Sequence, residues 1–222
     1  MTKNTGAASS IVVLVSGRGS NLQALIDAER GGHLAGHIRA VVSNRPEAYA
    51  LERARRAAIP AQVVDHTTFI ERADFERALI NCMDVYQPGL VAMAGWMRVL
   101  RPDTIAHYEN RILNIHPSLL PAFRGLNTHR RALAAGVPYH GCSVHLVTDD
   151  LDAGPVVIQA KVKIEPNDDP DKLAGRVLQR EHIVYPMAVR WFCEGRLKFA
   201  AGTAYLDGAL LKKPVMFAEG MQ

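Results

Sequence analysis

Cysteine is scarce in this 222-residue sequence, and the three present, Cys82, Cys142 and Cys193, lie far apart. An odd, dispersed set builds neither a disulfide framework nor a zinc site and reads as buried, reduced thiols. No apolar run approaches the roughly 20 residues that a membrane helix needs. Met1 to Ser10 is polar and lacks the apolar centre of a secretory signal. A cytoplasmic protein without membrane contact is therefore expected. No sign of charge dominates: the formal net charge is +4, with 22 % charged residues. That is too little for the dense basic footprint of a nucleic-acid binder, yet it leaves room for a local anion pocket. There is no Ser/Pro/Gly-rich linker, repeat or low-complexity stretch. The simplest organisation is one domain over 1–222, with flexible ends at 1–9 and 215–222.

What is present is a 48 % hydrophobic content arranged as alternating strands and helices. Ile11–Val15 is a continuous apolar run ended by Ser16-Gly17, the pattern of a parallel strand buried on both faces. Helical spacing follows over Asn21–Glu29. Further strands are expected at Ile38–Val42, Gln62–Val64, Leu90–Ala94 and Arg111–Ile115. Helices are expected at Pro46–Ala58 and Thr68–Met83. This order predicts an α/β, Rossmann-like fold, a mostly parallel central sheet flanked by helices. Past residue 126 the pattern changes. A helix at Thr128–Ala135 precedes two longer, partly alternating strands, His140–Val147 and Val156–Ile164, which suit an antiparallel edge. Pro170–Glu194 reads as a long helix stopped by Gly195. Short strands at Leu197–Phe199, Thr203–Tyr205 and Ala209–Leu211 complete the chain.

The loop Ser16-Gly17-Arg18-Gly19-Ser20-Asn21 joins the first strand to the first helix. Glycine lets backbone approach a ligand closely, and free N–H groups at a helix start attract an anion. A dinucleotide fingerprint fails, because Leu22 holds the place of its third glycine and Ser43-Asn44-Arg45 replaces the ribose-binding acid. A Walker loop fails for want of Gly-Lys-Ser/Thr. A monophosphate site and a tight turn with Ser20 as a helix cap both fit the residues that remain.

Asn114 and His116 stand two apart at the end of a strand, so both point to one face. Pro117 stiffens the exit. In open α/β sheets, ligands lie beyond the carboxyl ends of strands. An amide N–H₂ and an imidazole offered together suit attack on a carbonyl, since both donate to a developing oxyanion. A carboxylate near His116 would raise the imidazole pKa. The loop Thr148-Asp149-Asp150-Leu151-Asp152-Ala153-Gly154-Pro155 offers three, and spacing does not choose among Asp149, Asp150 and Asp152. No metal-ligand cluster is visible, and no metal is expected.

The glycine loop resembles that of the phosphoribosylglycinamide formyltransferases of de novo purine synthesis. So do Met93-Ala94-Gly95-Trp96-Met97-Arg98-Val99-Leu100, Asn114-Ile115-His116-Pro117-Ser118-Leu119-Leu120-Pro121, and His140-Gly141-Cys142-Ser143-Val144-His145 with the Asp149–Pro155 loop. The likeness runs from about Ile11 to Leu211, in order. It implies formyl transfer from 10-formyltetrahydrofolate, a co-substrate, to the amine of glycinamide ribonucleotide. It implies Asn114, His116 and Asp152 as catalytic residues. Gly19, Ser20, Asn21 and Glu181 would bind the ribonucleotide. Arg72, Met97, Arg98, Val99, Leu100 and Asn114 would bind the folate. The partners would be small molecules, with no nucleic acid or membrane, and the protein a monomer or homodimer. Two departures stand out: Arg124-Gly125-Leu126-Asn127-Thr128-His129 replaces a more usual Pro-Gly-x-His-Thr-His, and Phe123 occupies a usual tyrosine position. Methionyl-tRNA formyltransferase would carry a further nucleic-acid-binding domain, and formyltetrahydrofolate deformylase (a hydrolase) an extra regulatory one. A non-catalytic nucleotide-binding protein would need the glycine loop but not the Asn114, His116 and Asp152 set.

Overall fold

The computed structural model describes residues 10–221. Its elements in chain order begin with β1 (Ser10–Val15), α1 (Ser20–Arg30), β2 (His37–Ser43), α2 (Tyr49–Arg56) and β3 (Ala61–Val63). A 3-10 turn at His66–Thr68 precedes α3 (Arg72–Asp84), β4 (Leu90–Met93), α4 (Pro102–His107), β5 (Ile112–His116) and α5 (Thr128–Ala134). There follow β6 (Tyr139–Leu146), β7 (Val156–Lys163), α6 (Pro170–Cys193), β8 (Leu197–Ala200), β9 (Thr203–Leu206), β10 (Ala209–Leu210) and β11 (Val215–Met216). Eight strands form one sheet in the order β11-β7-β6-β5-β4-β1-β2-β3, and β8, β9 and β10 form a small antiparallel sheet.

Strand β1 explains the layering. Ile11, Val13 and Val15 face one core with α1, α2 and α6, while Val12 and Leu14 face a second core with α3. All five are fully buried. Each such side chain contributes about 1.5–3 kcal/mol of transfer free energy, which is why the run carries no polar alternation. Strands β1 to β5 are parallel, whereas β6 is antiparallel to both β5 and β7. The expected antiparallel edge is thus present. Successive connections run from β1 outward to β3, then return to β4 on the other side of β1. That reversal opens a crevice at the carboxyl ends of β1 and β4, the usual place for a ligand in such a sheet.

Several boundaries differ from the sequence expectation. The segment read as one helix over 68–83 divides, because Asp65 caps the 3-10 turn by accepting from the Thr67 N–H at 2.9 Å. Helix α4 was not anticipated. Val215–Met216, in the stretch read as a flexible end, pairs parallel with β7. Residues 1–9, expected to be flexible, lie outside the described residues.

Candidate active site

The floor of the crevice is built by strand pairing. Asn114 on β5 lies directly opposite His145 on β6, and His116 opposite Ser143. The Asn114 amide donates from Nδ2 to His145 Nε2 at 3.1 Å, while His145 Nδ1 donates to the Leu146 carbonyl at 2.9 Å. The second bond fixes the proton on Nδ1, so Nε2 accepts. One N–H of Asn114 is then held and the other remains for a ligand. The sequence alone does not bring His145 to the site, because its place depends on the register of an antiparallel pair.

His116 is 6 % exposed and has a neighbour on each ring nitrogen. Nδ1 lies 3.4 Å from Asp152 Oδ2, and Nε2 donates to the Phe123 carbonyl at 3.0 Å. Asp149 and Asp150 are solvent-exposed, whereas the Asp152 side chain is 8 % exposed and turned inward. Asp152 has φ 49°, and its loop returns to the sheet through Gly154, where an added Cβ would sit 2.0 Å from the Leu146 carbonyl oxygen. Only glycine permits that approach. Burial raises the Asp152 carboxyl, but the neighbouring His145 ring, the Gly125 N–H and the His116 charge together lower it to about 2. For His116 the balance goes the other way. Burial lowers its pKa, and the Phe123 carbonyl and Asp152 only partly restore it.

A cavity of about 720 Å³ opens above this floor. Its apolar wall includes Met97, Val99, Leu100 and Ile105, and its polar points include Asn21, Asn114, His116, Asp152 and Glu181. Asn21 donates from Nδ2 to Glu181 Oε2 at 2.7 Å, leaving Asn21 Oδ1 buried without a partner. Burial raises the Glu181 carboxyl, opposed by Asn21. Gly19 and Ser20 flank the cavity without lining it. Gly19, not Ser20, is the cap residue of α1, at φ 72° and with no side-chain capping bond. An added Cβ there would stand 2.6 Å from Ala50 Cβ, so α1 and α2 close against the glycine. This leaves the first N–H groups of α1 without side-chain partners, where an anion is favoured.

The loop after β4 is held by Ser16. Its hydroxyl donates to Asn44 Oδ1 at 2.6 Å and accepts from the Met97 N–H at 2.9 Å. That is the structural use of the Ser43-Asn44-Arg45 segment. Met97 and Val99 are exposed at the mouth, and Leu100 is buried. The Arg98 guanidinium lies 5.2 Å from the Phe75 ring centre. Arg72 does not line the cavity, and its guanidinium donates to the Val99 carbonyl. Among the described residues, no group of three or more His, Cys, Asp or Glu side chains is placed to hold a metal ion.

Residues 9–189 match the sequence profile of the formyl transferase family. The chain is 50 % identical over 202 residues to phosphoribosylglycinamide formyltransferase of Escherichia coli K12, covering 91 % of this chain and 95 % of that protein. The chain belongs to this formyltransferase family. The solved structure of phosphoribosylglycinamide formyltransferase from Coxiella burnetii matches with a TM-score of 0.90 at 51 % identity, over 94 % of this chain and 99 % of that one. A formyltetrahydrofolate deformylase from Pseudomonas syringae has a TM-score of 0.83 at 24 % identity, covering 91 % of this chain and 67 % of that one. That second likeness is one of fold alone. The expected formyltransferase fold is therefore observed.

Proposed function

We propose that this formyltransferase moves a formyl group from 10-formyltetrahydrofolate to the amine of 5'-phosphoribosylglycinamide. The products are formylglycinamide ribonucleotide and tetrahydrofolate, in purine synthesis in the cytoplasm. The observation that carries the reading is the convergence of Asn114, His116 and Asp152 on one cavity of about 720 Å³.

The chemistry needs two donors and one proton acceptor. The free N–H of Asn114 and an N–H of the His116 ring donate to the formyl oxygen as the amine attacks and negative charge develops. Donors preorganised in a buried site are typically worth about 10²–10³ each in rate. Asp152, ionised throughout the neutral range, favours the charged His116 and takes up the amine proton through water for delivery to the departing nitrogen. Holding both substrates in one cavity supplies much of the remaining acceleration.

Gly19, Ser20 and Asn21 would receive the phosphate at the start of α1, where free N–H groups meet the positive end of the helix. Glu181 would accept from the ribonucleotide. Met97, Val99 and Leu100 offer an apolar wall for a flat bicyclic ring, with Arg98 and Arg72 available to its acidic tail. Incubation with both substrates, reading deformylated folate by absorbance, tests the proposal. Product should appear only when both are present. Donor consumed without the amine would indicate hydrolysis instead.

A further inference from the structure

The loop ahead of α1 is clamped by α2, one carbonyl after another. The Ala50 N–H donates to the Gly17 carbonyl at 3.0 Å, and Arg53 Nε donates to the Arg18 carbonyl at 2.9 Å. Gly19 completes the run by lying against the same helix. A Cβ added there would stand 2.6 Å from Ala50 Cβ and 3.5 Å from Arg53 Cδ. Ala50 and Arg53 are three apart, so they share one face of α2.

The direction of these carbonyls fixes the direction of the N–H groups. The peptides joining Gly17, Arg18 and Gly19 are trans. In a planar trans peptide the C=O and the N–H of the next residue point opposite ways. With the Gly17 and Arg18 carbonyls drawn to α2, the Arg18 and Gly19 N–H groups are turned away from it. Among the described residues, no backbone N–H from Gly17 to Leu22 donates to a backbone carbonyl. A run of free N–H groups at the start of a helix is a concave site for an anion.

Arg53 also reaches two other elements. Its Nη1 donates to Gln23 Oε1 on α1 at 3.0 Å, and Gln23 Nε2 donates to Asp27 Oδ1 at 2.9 Å. Its charge is felt on α6. Burial, and then the Arg53 charge, lower the pKa of His182, the residue after Glu181, with Asp27 opposing. One guanidinium thus ties the glycine loop to α1 and stands near the Glu181 segment of α6.

We propose that Arg53 is a positioning residue for the ribonucleotide phosphate, aiming the N–H groups of the glycine loop through the Arg18 carbonyl. This rests on the phosphate site proposed above for Gly19, Ser20 and Asn21. Loss of Arg53 then weakens the grip on a phosphate-bearing substrate. The folate wall and the catalytic residues on β5 keep their places.

The experiment measures kcat, the KM for each substrate, and inhibition by inorganic phosphate competing with the ribonucleotide. It compares the unaltered protein with Arg53→Met, which keeps an apolar stem and removes the donors. The ribonucleotide KM and the phosphate inhibition constant should each rise about tenfold. The KM for the formyl donor and kcat should change by less than about twofold, because only binding of the phosphate is lost. Gln23→Met frees Nη1 but leaves the Nε bond, and should raise the same two constants about two- to threefold. An unchanged phosphate inhibition constant in Arg53→Met overturns the proposal, as does the same result in Gln23→Met where Arg53→Met does not fold. A loss of kcat or of donor affinity as large as the loss for the ribonucleotide also overturns it, and makes Arg53 a structural tie between helices. If inorganic phosphate does not compete with the ribonucleotide in the unaltered protein, the phosphate reading of the loop fails, and the role of Arg53 with it.

Discussion

The floor and the roof of the cavity are built on different principles. The floor is strand: Asn114 and His116 on β5, opposite His145 and Ser143 on β6. Its backbone is held by sheet hydrogen bonds, and no residue from Ile112 to His116 has a positive φ. The roof is loop: Phe123, Gly125, Asn127 and Asp152 all lie in the left-handed region. Strain is concentrated where a few hydrogen bonds oppose it, and it is absent from the strand that carries Asn114 and His116. The difference teaches that His116 and Asp152 are held by unlike supports. His116 is set by the sheet, and Asp152 by a turn that Gly154 alone allows to approach the sheet.

The largest effect is expected from the floor. His116→Ala should lower kcat by about 10²–10³ or more while the folded state persists, read in the two-substrate assay. Near-normal turnover would remove His116 from the chemistry. Asp152→Asn reaches across to the roof and should cost somewhat less, about 10² in kcat. Its sharper signature is in pH. The Asp152 charge raises the His116 pKa, so its removal should move the His116 limb of the pH–rate profile to lower pH. An unmoved limb would mean that Asp152 acts only on the proton of the amine.

Legibility in the sequence follows the same division. The floor was readable because buried parallel strands are continuous apolar runs, and because a spacing of two puts Asn114 and His116 on one face. Helix α6 was readable from Pro170 to Gly195 because caps and periodicity agree. What escaped needed long-range register or was too short for periodicity. His145 enters the site only through its pairing with Asn114. Helix α4 spans Pro102–His107, too short a stretch to show a repeat of 3.6. The choice of Asp152 over Asp149 and Asp150 depended on family resemblance, since one positive φ and one glycine turn it inward. Asp152 does raise the His116 pKa, as the carboxylate in the sequence implies, but the burial that outweighs it is visible only in the structure.

Beneath the roof, His140 gives an intermediate effect on stability. It is 1 % exposed, and its ring packs edge-on to His129 at 5.1 Å and to Phe123 at 5.9 Å. Burial, reinforced by the His129 charge, lowers its pKa to about 4. An unfolded histidine titrates near 6.5, so between those values the unfolded chain binds a proton that the folded one does not. Stability should therefore fall as pH drops from about 6.5 to about 4, with His140 responsible for about 2–3 kcal/mol. Denaturant titrations of His140→Leu should show a flatter pH dependence across that window. An equal slope in both proteins would assign the acid sensitivity elsewhere.

The smallest expected effect tests whether the floor extends to the folate wall. Ser16 joins the end of β1 to the loop after β4, giving its proton to Asn44 and accepting from the Met97 N–H. Ser16 is 4 % exposed, so removal of its hydroxyl leaves that N–H and the Asn44 oxygen without their partner. Ser16→Ala should cost about 1–2 kcal/mol of stability. If Met97 to Leu100 form the wall that receives the folate, the KM for the formyl donor should rise severalfold with kcat nearly unchanged. Asn114 and His116 stay where the sheet puts them, so only uniform binding is lost. A fall in kcat at constant KM would show that the wall also orients the formyl group. The contrast between a floor held by strand and a surround held by loop would then have to be drawn with the loop after β4 on the side of the floor.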